Sequence, residues 1–103
     1  MGTINTNNQL GDITMITLMT TENLVEQAIE ANRAKYIENY KFRLRWLRRT
    51  DDVAKQHETK YFYICLTITE TLQNLFPDFK SQIRDRFLNI EMDLDRKEYL
   101  RNK

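Results

Sequence analysis

An all-α fold is expected from three observations on the 103-residue sequence: apolar residues recur with helical period over three long stretches, capping residues precede them, and turn-forming residues are scarce. Gly2, Gly11 and Pro77 are the only glycines and proline, too few for the tight turns of a many-stranded sandwich or barrel. Hydrophobic residues at 41% and charged residues at 30% are the composition of a globular chain, neither disordered nor membrane-embedded. A chain of this length builds one core. The expected architecture is a three-helix domain with a long antiparallel helical hairpin, dimerising into a helical bundle.

Residues 1–19 open polar, with MGTINTNNQLGD rich in asparagine and threonine, and continue as ITMITLMT. Without the periodicity of a packed element, they are expected to form a flexible amino-terminal arm, leaving residues 20–103 as the helical domain.

The first helix is expected over about 21–49. Thr20 or Thr21 can cap it, and Glu22 sits near the positive end of its dipole. Val25, Ile29, Tyr36, Ile37, Tyr40, Leu44 and Leu47 gather on one face, the stripe that a core-facing helix requires. At 1.5 Å per residue this is a rod of roughly 43 Å, longer than one partner helix covers comfortably.

The second helix is expected over about 51–76, with Thr50 as N-cap and Asp51 and Asp52 in the first turn. Val53, Ala54, His57, Tyr61, Ile64, Cys65, Ile68, Leu72 and Leu75 fall on one side. The run YFYICLTIT at 61–69 has strand composition. The helical period continues unbroken on both sides of it, which favours helix over strand.

Pro77 ends the second helix and suits the first turn of the third, expected over about 78–101. Phe79, Ile83, Phe87, Ile90 and Leu94 occupy a narrow arc, while Leu88, Met92 and Tyr99 form a second stripe. One core cannot receive both. The second stripe, with Phe42, is therefore expected to be an interface in a homodimer.

Chemistry-bearing constellations are few. One histidine, one cysteine and two glycines supply neither a zinc site of the usual ligands nor a phosphate-binding loop, so no enzyme activity, metal or cofactor is expected. His57 lies on an apolar face and reads as a packed histidine, and Cys65 as a buried thiol. Glu91 and Asp95, one turn apart, read as part of a solvated charged face because Asp93 and Lys97 are spaced as a surface pair. Lacking a second cysteine, a signal-peptide pattern and any apolar run of about 18 residues, the chain is expected in the cytoplasm, without a transmembrane segment.

Charge distribution carries the functional signal. Residues 1–32 hold Asp12, Glu22, Glu26 and Glu30 but no lysine or arginine. Residues 33–49 hold Arg33, Lys35, Lys41, Arg43, Arg45, Arg48 and Arg49 against Glu38 alone. Arg33 and Arg43 fall within or beside the apolar stripe and are expected to snorkel or to pair with glutamates of a partner chain. Lys41, Arg45, Arg48 and Arg49 share one stripe beside an aromatic ridge of Phe42 and Trp46. Such a stripe can follow a row of phosphates, because guanidinium groups bond phosphate oxygens in pairs and counterion release favours the contact.

These features lead to the expectation of a small dimeric nucleic-acid-binding regulatory protein. Lys41, Arg45, Arg48 and Arg49 would meet duplex phosphates, RNA or DNA, with Trp46 nearby, and shape rather than sequence would be read. The alternative is a protein-interaction module or small inhibitor that holds an acidic protein partner through the arginine and aromatic ridge.

Overall fold

A computed structural model of the chain describes the backbone of residues 6–101 and the side chains of residues 20–101. The described residues are all-helical: α1 spans Thr6–Leu47, α2 spans Asp52–Leu75 and α3 spans Lys80–Arg101, with a 3₁₀ turn at Pro77–Phe79 leading into α3. Segment 61–69 lies inside α2. Its β-branched and aromatic residues follow the helical period because that period buries Cys65 and Ile68 together.

Helix α1 begins at Thr6 rather than near residue 21, so 6–19, expected as an arm without a regular element, are helical. The missing core-facing period misleads here for a physical reason. Once the packed part of a helix exists, each further turn needs only propagation, and the segment has no proline to interrupt it. Residues 1–5, also assigned to the arm, lie outside the described residues.

The other boundaries move by at most two residues. Asp51, not Thr50, is the N-cap of α2: its Oδ1 accepts from the Ala54 backbone N–H at 2.8 Å, satisfying one of the donors left open in the first turn. Phe76 closes α2, with its N–H bonded to the Leu72 carbonyl at 2.9 Å, and Pro77 then starts the 3₁₀ turn, where its missing N–H costs nothing.

All three helices contribute to one core. Val25, Ile29, Tyr36 and Tyr40 enter from α1, Cys65, Ile68 and Leu72 from α2, and Ile83, Phe87 and Leu94 from α3. The Phe87 ring stacks on Tyr36 at 4.5 Å between centroids. Residue pairs fix the alignment: Tyr36 with Cys65, Phe42 with Tyr61 and Trp46 with His57 between α1 and α2. Between α1 and α3 the pairs ascend together, from Glu26 with Arg86, through Tyr36 with Glu91 and Tyr40 with Asp95, to Arg48 with Glu98.

Leu47, Val53 and Leu75, assigned to core stripes by period, are instead exposed. Each sits in the first or last turn of its helix, where helical period alone does not guarantee a covering neighbour. Among the described residues no helix is long and apolar enough to cross a membrane.

Candidate nucleic-acid interface

Helices α1 and α3 end at the same end of the molecule, as the Arg48–Glu98 pair requires. Both last turns are basic, carrying Arg45 in α1 and Arg101 in α3. Cations are favoured there by the negative ends of two helix dipoles, so part of this charge needs no ligand to explain it.

What exceeds that explanation is the shape into which the charges are placed. Between the two helices runs a cleft of about 450 Å³ whose lining includes Lys41 and Arg45 from α1, Arg48 just past its end, and Lys97 and Arg101 from α3, against Glu98 alone. Leu44 and Leu94 form its apolar floor. A second cleft, about 370 Å³, shares Lys41, Leu94 and Lys97 with the first and adds Arg33 and Arg86, opposed by Asp93. Together they make one furrow along the α1–α3 seam, about 22 Å long from Arg33 to Arg48 at 1.5 Å per residue.

The furrow's cations differ in how they are held. Arg48 pairs with Glu98, Lys97 with Asp93 at 3.0 Å, and Arg86 with Glu26. Lys41, Arg45 and Arg101 are exposed and make no ion pair among the described residues; Arg45 only leans its guanidinium over the Phe42 ring, 5.5 Å from its centroid. Exposed ion pairs of this kind are weak, so the paired cations can exchange their carboxylate for a phosphate.

The stripe expected from sequence is therefore divided. Lys41, Arg45 and Arg48 face the furrow, whereas Arg49 pairs with Asp51 at 2.9 Å and lies over the Trp46 ring, 5.2 Å from its centroid. Trp46 itself stacks on His57 at 4.3 Å with rings inclined by 19°, and Phe42 meets Tyr61 at 5.2 Å. The aromatic ridge is thus a set of rungs between α1 and α2, outside the furrow lining. A helix kinks nothing to achieve this; α1 simply stops at Leu47, so Arg49 leaves the wheel on which the stripe was drawn.

Of the expected interface residues, Phe42 is half-buried against α2, while Leu88, Met92 and Tyr99 are exposed on α3. Arg43 pairs within its own chain, with Glu58 at 2.8 Å, and its guanidinium also covers the rings of Tyr40 and Phe62.

Lys97, Arg101, Arg33 and Arg86 were missed as site residues by sequence reasoning. Lys97 and Arg101 are four apart, hence on one face of α3, which is a readable signal; that this face lines the same seam as Lys41 is not readable without the packing.

Glu91 and Asp95 are also more than a solvated face. Tyr36 donates its hydroxyl to Glu91, and Tyr40 donates to Asp95 at 2.6 Å, two rungs one turn apart that lock α3 in register on α1. Burial, together with the neighbouring carboxylates, pushes both phenols well above their ordinary pKa, so they act as fixed donors. Burial likewise pushes the Cys65 thiol up to about 11, and its Sγ donates to the Tyr36 carbonyl at 3.7 Å; this is a packed thiol and not a nucleophile. No group of three histidine, cysteine, aspartate or glutamate side chains that could hold a metal ion occurs among the described residues. No family model matches this chain, and neither a curated protein nor a solved structure is similar to it.

Proposed function

We propose that the chain is a small nucleic-acid-binding regulatory protein that works as a homodimer and holds a sugar-phosphate backbone in the α1–α3 furrow. One observation carries the reading: five cations, four from two helices and Arg48 at the end of α1, line a single cleft against one carboxylate. Arginine and lysine on both walls suit a row of phosphates, and an apolar floor of Leu44 and Leu94 lies between them. No aromatic residue lines either cleft of the furrow, so bases have no stacking platform there, and a duplex read by its backbone fits better than a single strand.

The pairing of Tyr36, Phe42 and Trp46 with Cys65, Tyr61 and His57 supports an antiparallel hairpin of α1 and α2 as the rigid back on which the furrow is mounted. The alternative of an acidic protein held by an arginine and aromatic ridge has less support, since Phe42 and Trp46 present their ring faces to α2.

The test is fluorescence anisotropy with a labelled duplex of about 20 base pairs at about 50 and 200 mM salt, using the wild type and the Lys41→Gln/Arg45→Gln/Arg48→Gln variant. Binding that falls steeply with salt, and that the variant loses, is expected. A wild-type chain that ignores duplex RNA and DNA at the lower salt overturns the proposal.

A further inference from the structure

Helix α3 carries a second surface that the furrow does not use. Leu88 and Met92 are 44% and 59% exposed and Tyr99 is 65% exposed, and with Ser81 they lie within about 40° of arc on the helix. Lys97 points the opposite way, nine residues and therefore about 180° from Leu88. The stripe thus looks away from the furrow, and covering it leaves the furrow open.

The charges beside this stripe alternate in a manner that fits a copy of itself. Arg84 and Asp95 flank it on one side, Asp85 and Arg96 on the other, and all four are exposed. When two such helices pack antiparallel about a two-fold axis, a residue meets the one whose number brings their sum near a constant. With that constant at about 180, Leu88 lies on the second copy's Met92 and Ser81 lies on its Tyr99. In the same register Arg84 reaches Asp95 across the interface, where Oδ1 of Asp95 accepts from Tyr40 of its own chain and Oδ2 is the oxygen left for the guanidinium, and Asp85 reaches Arg96 on the other flank. One alignment satisfies the Leu88–Met92 contact and both ion pairs, and like charges fall on opposite flanks. This is the logic by which flanking charges set orientation in helix pairs.

We infer that α3 is the dimer contact, docking antiparallel on α3 of a second copy of this chain, with Leu88 and Met92 at the centre and Arg84–Asp95 and Asp85–Arg96 as intermolecular pairs. The inference gives a geometry to the dimer proposed above and does not depend on nucleic-acid binding.

A charge-swap cycle at Asp85 and Arg96 tests it, read by sedimentation velocity over a concentration series. Asp85 and Arg96 are eleven residues apart on one helix, about 16 Å, so they cannot compensate each other within a chain. Asp85→Arg alone and Arg96→Asp alone each replace two attractive pairs by two repulsive ones in a symmetric dimer, and each is expected to raise the dimer dissociation constant about tenfold. The Asp85→Arg/Arg96→Asp double variant restores opposite charges across the axis and should return to within about threefold of wild type. Met92→Asp, at an exposed position with no role in the core, should give a folded monomer with unchanged helical circular dichroism. A wild-type chain that stays monomeric at about 1 mM overturns the inference and leaves the stripe to a partner of another kind. A double variant as dissociated as either single variant overturns the register. Duplex binding by the Met92→Asp monomer is measured alongside, so that loss of the dimer and loss of the furrow are read separately.

Discussion

Removing the α3 wall of the furrow should weaken nucleic-acid binding as much as removing the α1 wall. The perturbation is Lys97→Gln/Arg101→Gln, set beside Lys41→Gln/Arg45→Gln. With five cations lining the main cleft, full engagement of each by one phosphate gives a salt slope of about −4.5, and either double variant should leave about −2.7. Between about 50 and 200 mM salt, the wild type should then lose about 500-fold in affinity and each variant about 40-fold. Folding is not at issue: Lys97 and Arg101 are exposed, and the Lys97–Asp93 pair is an i,i+4 surface contact of small effect. Anisotropy titrations at four or so salt concentrations give the slopes, with Lys55→Gln/Lys60→Gln, on exposed positions of α2, as the matched change in net charge. The reasoning fails if the α3 variant keeps the wild-type slope while the α1 variant loses it, because the ligand would then be following a stripe on one helix and not a furrow between two.

Two further predictions concern the scaffold. Phe87 is 1% exposed and stacked on Tyr36, so Phe87→Ala leaves a cavity where three helices meet and should cost about 3–5 kcal/mol, a large part of the stability of a domain this size; urea denaturation followed by circular dichroism measures it, and a loss below about 1 kcal/mol would show that α3 is not seated on α1 as described. The second concerns acid. The Ala54 N–H, aided by Arg49, holds the Asp51 carboxyl below its ordinary value, so its capping contribution is present above the unfolded-state pKa near 3.9 and disappears as pH falls through the lower folded value. Asp51→Asn keeps a capping oxygen without the charge, so the melting-temperature gap between wild type and Asp51→Asn should narrow or reverse on going from about pH 6 to pH 3; a gap independent of pH would remove Asp51 as a titrating cap.

How much of this was legible in the sequence follows from which interactions are local. Helix content was legible because period and capping act within a few residues: the stripes through Val25, Ile29, Tyr36 and Tyr40, through Cys65, Ile68 and Leu72, and through Ile83, Phe87 and Leu94 were readable, and those residues are buried. The stop at Pro77 was equally local. Exposure of Leu47, Val53 and Leu75 was not readable, because burial depends on where the neighbouring helices are placed and period gives only the face.

The candidate site divides along the same line. The charge on Lys41, Arg45 and Arg48 and their shared face on α1 came from residue order alone. That Lys97 and Arg101 stand across from them was decided by contacts between helices up to 60 residues apart in the chain, and that Arg49 and Trp46 turn toward Asp51 and His57 instead was decided by where α1 ends and α2 folds back. Likewise Glu91 and Asp95 became partners of Tyr36 and Tyr40 only when α3 came to rest on α1. Residue order therefore determines which helices form and which faces carry charge. The packing of one helix on another decides which of those charges meet, because a helix fixes the direction of its side chains but not what stands opposite them.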